Sequence, residues 1–174
     1  MTTRDGTSPQ PVQLEPYNPA WPAAFIAERE LLAPVLAPWL AGAIEHVGST
    51  AVPGLPAKPI IDIMAPVRDL DASRPALAEL EKIGYCYAPY KSEAMHWLCK
   101  PSPAHRTHHL HLVPLNSVLW MERLAFRDVL AANSDLANEY AALKYRLAAV
   151  HRHDRERYTE EKGPFIESAL RGRL

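Results

Sequence analysis

The sequence predicts an α/β (α+β) fold in which a mixed sheet is flanked by helices and the C-terminal third is helical. Three observations support this prediction. Short apolar segments rich in β-branched residues, such as residues 60–67 and 107–115, alternate with helical segments in the first two thirds of the chain. Helical periodicity then continues from Ser117 onward. The 174 residues are 48% hydrophobic, which is enough for the core of a single domain, predicted over residues 12–174.

The N-terminal half predicts a helix, two strands and a stiff loop between the strands. Residues 18–40 predict the helix, because Asn18 is a favourable N-cap and prolines occupy the first turn. Two further prolines near its end predict a kink or a break. Residues 43–47 and 60–67 predict the strands. Three prolines stiffen the loop that joins these strands, as suits a loop that holds a ligand.

The remaining elements are one helix, three strands and a helical C-terminal region. Ser73 and Gly84 are the expected N-cap and C-terminal glycine of the helix. The strands are predicted at residues 85–88, 95–100 and 107–115. The last three helices are predicted at residues 117–131, 133–151 and 154–170, and Gly163-Pro164 suggests a break in the last of them.

Composition excludes several classes of protein. A formal net charge of -1 and a pI near 6.7 argue against a general nucleic-acid binder. Residues 1–11 predict a disordered polar tail without a signal sequence, and no apolar run is long enough to cross a membrane. Cys86 and Cys99 predict neither a disulfide scaffold nor a metal-binding pair, so a cytoplasmic location is expected.

Residues 46–63, HVGSTAVPGLPAKPIIDI, contain the pattern that points most directly to function. Gly48 permits a sharp turn and a close approach of the backbone to a ligand, while Ser49 and Thr50 add hydroxyl groups. This turn predicts a phosphate-binding site, and the alternative is that either hydroxyl only caps a turn or helix. Asp62 lies in a buried strand, where a carboxylate requires a metal, a catalytic role, or a structural partner such as a lysine or a backbone amide.

Four sequence blocks in combination resemble the GrpB family. They are residues 46–63, the preceding YNPAWPAAFIAERE, and the following THHLHLVP and YTEEKGPFI. The resemblance covers nearly the whole chain from Val12 and implies a nucleotidyltransferase-like fold. Because the family also occurs fused to dephospho-CoA kinase, the resemblance implies that kinase as a candidate partner.

The resemblance also implies roles for the residues of this segment. In the nucleotidyltransferase fold a Gly-Ser turn holds the triphosphate, and two acidic side chains two positions apart on the next strand bind divalent metal. Asp62 fits one of these acids, but Met64 stands where the second is expected. Since two-metal transfer requires shared ligands, this departure argues against ordinary nucleotidyl transfer.

The strand at residues 107–115 offers substitute ligands. Period-two alternation places His109 and His111 on one face and His108 on the other. If this strand lies beside that of Asp62, then Asp62, His109 and His111 form a site for a divalent metal such as magnesium, manganese or zinc. The two imidazoles favour a transition metal, for example zinc, iron or manganese. Alternatively one histidine acts as a general base, or both are hydrogen-bonded to the backbone in a structural role.

Basic side chains near these segments are candidates for phosphate binding. Lys58 precedes the Asp62 strand, Arg106 opens the histidine strand, and Lys162 recurs with aromatic residues at helical spacing. An ordinary surface position is the alternative for each. Together these residues predict that the chain binds a nucleotide or another phosphorylated small molecule, with metal-dependent phosphoryl or nucleotidyl chemistry. The alternative function is a non-catalytic accessory or binding module, for example one that supports dephospho-CoA kinase.

Overall fold

The computed structural model describes residues 11–173, so the predicted tail of residues 1–11 lies outside the described residues except for Pro11. The strands are β1 Glu45–Val47, β2 Ile61–Val67, β3 Cys86–Tyr87, β4 His96–Pro101 and β5 Arg106–Pro114. The helices are α1 Trp21–Leu36, α2 Pro75–Lys82, α3 Val118–Ala132, α4 Ser134–Val150, α5 Arg155–Glu160 and α6 Gly163–Leu170. A 3-10 turn, Ser49–Ala51, follows β1. The predicted α/β (α+β) fold with a helical C-terminal third is confirmed.

The five strands form one mixed sheet in the order β1-β2-β5-β4-β3. The central pair, β2 and β5, is parallel, and the other three pairs are antiparallel. A central parallel strand is covered on both faces, which explains why β2 is an almost continuous apolar run. Cys86 and Cys99 lie opposite each other on the adjacent strands β3 and β4.

One face of the sheet is covered by α1 and α2. The buried side chains of α1 recur at helical spacing, which gives the helix one apolar face. The apolar ones are Trp21, Phe25, Leu32 and Leu36. They share a core cluster with Ala76 and Leu80 of α2 and with every second residue of β2 from Ile61 to Val67. The residues of β2 that lie between them, among them Asp62 and Met64, therefore belong to the other face.

A buried ionic group joins α1 to this first face. Glu28 on α1 is only 5% exposed. Its Oε1 atom accepts hydrogen bonds of 2.9 Å from Lys100 Nζ and from the Tyr85 hydroxyl. His108 Nε2 lies 3.8 Å from the other oxygen of Glu28, so His108 lies on the face opposite His109, as the alternation predicts.

The second face of the sheet is covered by the C-terminal helices. Trp120 on α3 packs into a cluster with Met64 and Val113 of the sheet. Arg127, two turns further along α3, donates to Glu45 Oε2 at 2.7 Å and to His46 O at 3.0 Å, which holds this helix against β1. A further cluster joins Val52 and Leu55, in the loop after β1, to helical side chains that include Leu130 and Tyr140. The loop and the helices thus enclose one end of this face.

The helices differ from the prediction at several boundaries. The first begins at Trp21 instead of residue 18, because Asn18 Oδ1 accepts the N–H of Ala20, at 2.9 Å, in a turn that precedes the helix. This helix, α1, contains Pro34 and ends at Leu36, before residue 40.

Ser73 is not the N-cap of α2, because Arg74 holds that position and the Ser73 hydroxyl donates to Leu70 O at 2.9 Å. The predicted helix over residues 154–170 is two helices, and Pro164 lies in the first turn of the second, where a missing N–H costs no hydrogen bond. Within residues 11–173, no helix combines the length and the apolar character that crossing a membrane requires.

Candidate functional site

The candidate site lies on the second face of the sheet, near the beginning of β2 and the middle of β5. Asp62 pairs in register with Val47 of β1 on one side and with His109 of β5 on the other. Directly paired residues on neighbouring strands place their side chains on the same face. His111, two residues after His109, shares this face, so the predicted juxtaposition of the two strands brings Asp62, His109 and His111 together. These three residues are called the Asp62 triad below.

The Asp62 carboxylate leaves no room for a side chain at Gly48, the glycine of the Gly-Ser-Thr turn. Gly48 has φ 73° and ψ -171°, a backbone region that is essentially restricted to glycine. A Cβ atom at this position would lie 2.6 Å from Asp62 Oδ2, closer than nonbonded atoms approach. The sequence predicts a close approach of Gly48 to a ligand, and in the structure its close neighbour is the Asp62 carboxylate. The turn and the carboxylate are therefore in direct contact.

The Asp62 triad is compact and incompletely hydrogen-bonded. Asp62 Oδ1 lies 2.9 Å from His109 Nδ1 and 3.6 Å from His111 Nε2. The other ring nitrogen of His111, Nδ1, contacts Met95 Sδ at 3.4 Å. The Nε2 atoms of both histidines are buried and have no hydrogen-bond partner in the described part of the chain. One ligand atom from each residue can be chosen so that all three lie within 4.8 Å of one another.

The charges within the triad follow from burial and hydrogen bonding. Burial alone would raise the pKa of Asp62, but the hydrogen bond with His109 and the nearby His111 ring hold that pKa well below its ordinary value. Burial lowers the pKa of His111 to about 3, and the charge of Arg123 acts in the same direction. At neutral pH the site thus contains an ionised carboxylate beside a neutral His111 imidazole. These are the forms in which both groups can bind a metal ion.

Three lysines lie beside the turn and are called the lysine cluster below. Lys144 on α4 is 1% exposed, and its Nζ donates to Ser49 Oγ at 3.0 Å and to a neighbouring backbone carbonyl. Lys58 Nζ and Lys162 Nζ lie 5.2 Å and 4.5 Å from the centre of the Tyr158 ring. Within residues 11–173, none of the three forms a salt bridge with a carboxylate.

The lysine cluster is under electrostatic strain. Burial lowers the pKa of Lys144 and of Lys162 to about 7, and repulsion between the lysines adds to this effect. Burial also lowers the pKa of Lys58. The negative charge of Asp62 partly opposes these pKa shifts in Lys58 and Lys162, so the lysine cluster and the Asp62 triad interact electrostatically. A bound anion would relieve the repulsion.

Comparison with known proteins assigns the family. The family model described as "GrpB protein" matches residues 11–171. The chain belongs to the GrpB family. Its predicted resemblance to this family is therefore confirmed. The match includes every residue of the Asp62 triad and of the lysine cluster.

Curated relatives and a solved structure agree with this membership. The chain is 42% identical over 165 residues to a UPF0157 protein of Pseudomonas aeruginosa, covering 91% of this chain and 66% of the relative. It is 34% identical over 158 residues to the UPF0157 protein YqkA of Bacillus subtilis, covering 91% of this chain and 46% of YqkA. The chain therefore spans less than two thirds of the length of both relatives.

Two further proteins match over almost their whole length. The chain is 32% identical over 170 residues to the glutamate-rich protein GrpB of Alkalihalophilus pseudofirmus, covering 95% of this chain and 97% of that protein. The crystal structure of the conserved protein GrpB from Enterococcus faecalis superposes with a TM-score of 0.81 at 32% identity, covering 91% of this chain and 98% of that chain. The nucleotidyltransferase-like fold expected of a GrpB protein is thus confirmed.

Two other predicted ligand residues of this GrpB chain have partners within the protein. The Thr50 hydroxyl, 1% exposed, donates to Ile60 O at 3.3 Å and lies 3.0 Å from His46 Nε2, so it stabilises the turn from beneath. The Arg106 guanidinium lies 5.0 Å from the centre of the Trp97 ring, whose centre is 5.1 Å from that of His109. Arg106 is therefore at the edge of the site, one aromatic ring away from the triad.

Sequence reasoning missed Lys144 and Arg123, both on C-terminal helices. The signal for Lys144 is its position between Tyr140 and Leu147, since these three buried residues follow one another at helical spacing. A lysine within an apolar stripe is a candidate for a buried functional group. Arg123 lies between the buried residues Trp120 and Leu130 on α3, and burial lowers the pKa of its guanidinium.

Proposed function

We propose that this GrpB protein binds a nucleotide or another phosphorylated small molecule between the site face of the sheet and helices α4 to α6. The phosphate groups lie at Ser49 and the lysine cluster, and the Asp62 triad supplies metal-dependent phosphoryl or nucleotidyl chemistry. The observation that carries the proposal is the lysine cluster, in which one buried and two half-buried ammonium groups have no carboxylate partner within residues 11–173.

Charge balance supports an anionic ligand. An unpaired buried charge is costly, and the usual outcome is a partner of opposite sign or loss of the proton. Asp62 is the acidic group that acts on the cluster, yet its carboxylate is already engaged with His109. Phosphate oxygens accept hydrogen bonds from several ammonium groups at once, so one phosphorylated ligand satisfies all three lysines.

The position of the turn supports chemistry at a phosphate group. Ser49 contacts the lysine cluster through Lys144, and Gly48 contacts Asp62. A phosphate bound at Ser49 would thus lie next to a carboxylate and two imidazoles. A metal ion held by the triad would polarise that phosphate, or His109, oriented by Asp62, would move a proton.

The first test measures anion binding in chelator-treated protein at pH 7. We expect ATP and pyrophosphate to bind in calorimetry and to raise the melting temperature, whereas adenosine does neither. Lys58→Met and Lys162→Met each remove a charged contact and weaken binding at least about tenfold. Lys82→Met is the matched control, because Lys82 is exposed and pairs with Glu79 on α2. Equal binding of adenosine and ATP, or unchanged affinity in both cluster variants, would contradict the proposal.

A second candidate function is a non-catalytic accessory module for dephospho-CoA kinase. It is favoured by Met64, which is fully buried on the site face in place of a second acidic ligand. We expect such a module to co-purify with the kinase and to raise its melting temperature on mixing. A kinase that neither binds the chain nor changes in stability would eliminate this candidate.

A further inference from the structure

We infer that the Asp62 triad binds one first-row transition-metal ion of the zinc, iron or manganese class, and that Mg²⁺ alone does not occupy this site. The inference deepens the proposed function, since the ion would lie beside the phosphate-binding turn. It does not depend on a phosphorylated ligand, because all the ligands considered are side chains of this chain. The metal and the anion can therefore be tested separately.

The spacing of the ligand atoms fits one small ion. Two ligands that each lie about 2.0–2.2 Å from a metal are about 3.0–3.5 Å apart in octahedral or tetrahedral geometry. Asp62 Oδ1 is 3.6 Å from His111 Nε2 and 2.9 Å from His109 Nδ1. These two separations bracket the required range, and one ligand atom from each residue lies within 4.8 Å of the others. Rotation of the side chains would bring all three to one ion, which would replace the hydrogen bond between His109 and Asp62.

The unpartnered Nε2 atom of His111 supports the presence of a bound cation. His111 Nε2 is buried and faces a carboxylate oxygen at 3.6 Å, too far for a hydrogen bond. If the proton of neutral His111 lies on Nδ1, next to Met95 Sδ, then Nε2 presents a lone pair towards another acceptor. A metal ion between these two acceptors removes the conflict, because it binds a lone pair from each of them.

The donor set determines the class of metal. Mg²⁺ prefers oxygen ligands and retains several waters, so a site with two imidazoles and one carboxylate suits it poorly. The same set is typical of zinc, iron and manganese sites that keep positions open for substrate or water. Imidazole nitrogen therefore distinguishes this site from an oxygen-only magnesium site.

The neighbourhood of the triad supports one ion instead of two. A two-metal centre needs further carboxylates to share between the ions. Met64, which pairs in register with His111, provides a thioether on that side of Asp62. Glu45, which pairs with Met64 from β1, is bound to Arg127 at 2.7 Å. Within residues 11–173, the triad is the one group of three His, Cys, Asp or Glu side chains close enough to share an ion.

The test uses tag-free, chelator-treated full-length chain and titrates it with Zn²⁺, Co²⁺ and Mg²⁺. We expect Zn²⁺ to bind at one equivalent in calorimetry, Co²⁺ to give visible ligand-field absorption, and Mg²⁺ at the same concentrations to give neither binding heat nor a thermal shift. His109→Gln and His111→Gln are expected to weaken Zn²⁺ binding at least about tenfold. His108→Gln is the matched control, since His108 is on the same strand but on the opposite face.

A measurement on the wild-type chain covers the case in which a variant does not fold. With ¹⁵N-labelled histidine, Zn²⁺ is expected to shift ring signals of His109 and His111 among the eight histidines, and to leave His108 unchanged. Shifts confined to other histidines, equal loss of affinity in His108→Gln, or Mg²⁺ binding as tight as Zn²⁺ would overturn the inference. Pyrophosphate binding to the metal-free chain reports on the lysine cluster alone, so failure of one proposal is distinguishable from failure of the other.

Discussion

Lys144→Met is expected to raise the free energy of unfolding by about 2 kcal/mol at pH 7 and to weaken pyrophosphate binding at least about tenfold. Lys144 is 1% exposed and has no carboxylate partner within residues 11–173, so its charge is costly to bury. Methionine keeps most of the volume of the side chain. The gain is offset in part, because Ser49 Oγ and Pro56 O lose the hydrogen bonds that Lys144 donates.

The pH dependence of the free energy of unfolding shows whether the charge of Lys144 destabilises the folded protein. Burial lowers the pKa of folded Lys144 from 10.5 to about 7, so between these values the unfolded chain binds a proton that the folded protein lacks. The contribution of Lys144 to the free energy of unfolding of the wild-type protein therefore rises with pH over this window, by about 1.4 kcal/mol per pH unit. The advantage of Lys144→Met is expected to be largest below pH 7 and to vanish at about pH 8.5. At higher pH the variant is expected to be the less stable protein, because the hydrogen bonds of Lys144 are lost.

Urea unfolding followed by circular dichroism at pH 7 and pH 9.5 measures this effect. Lys82→Met, at an exposed position on α2, is expected to leave both the stability and its pH dependence unchanged. A Lys144→Met protein that is less stable than wild type at pH 7, with the same pH dependence, would show that the hydrogen bonds of Lys144 outweigh the cost of its charge.

Gly48→Ala is expected to destabilise the protein by about 3 kcal/mol or more, since two penalties combine. Alanine is strained at φ 73° and ψ -171°, and its Cβ would meet Asp62 Oδ2 at 2.6 Å. Gly54→Ala is a matched control, because Gly54 also has a positive φ of 79° but no heavy atom within 4 Å of an added Cβ. We expect Gly54→Ala to cost only about 1 kcal/mol, from backbone strain alone.

A double variant separates the two penalties. In Gly48→Ala combined with Asp62→Ala, the carboxylate that the new Cβ meets is absent, so part of the lost stability is expected to return. The strain at residue 48 and the nearby Cβ of residue 62 remain, so recovery is partial. Thermal unfolding of the four proteins in this cycle gives the coupling energy. Full additivity would mean that contact with Asp62 is not what requires glycine at this position.

Local sequence patterns were sufficient to predict much of the fold. The strand at residues 107–115 and the faces of its histidines followed from alternation, because a strand has a period of two whatever it packs against. The position of the Gly-Ser-Thr turn between two strands followed from glycine and the flanking apolar segments. The absence of a second acid at Met64 is likewise a property of the sequence itself.

The boundaries of the helices were harder to predict from the same patterns. Asn18 carries the chemistry of an N-cap, but its side chain bonds to Ala20 in the turn before α1. Gly163 and Pro164 suggest a break, and the structure makes them the first turn of a separate helix, α6. Several local conformations satisfy such residues equally well, so packing against the sheet decides between them.

By itself, the sequence determined the elements, the chemistry of each candidate residue and the family of the chain. These features depend on short-range periodicity and on residue type. Only the tertiary structure decided that Asp62 meets His109, 47 positions away, and that Lys144 on α4 reaches Ser49, 95 positions away. Parallel pairing of β2 with β5, and packing of α4 over the turn, are consequences of burying apolar surface from the whole chain. Whether a charged side chain is buried can be determined only when the groups around it are known.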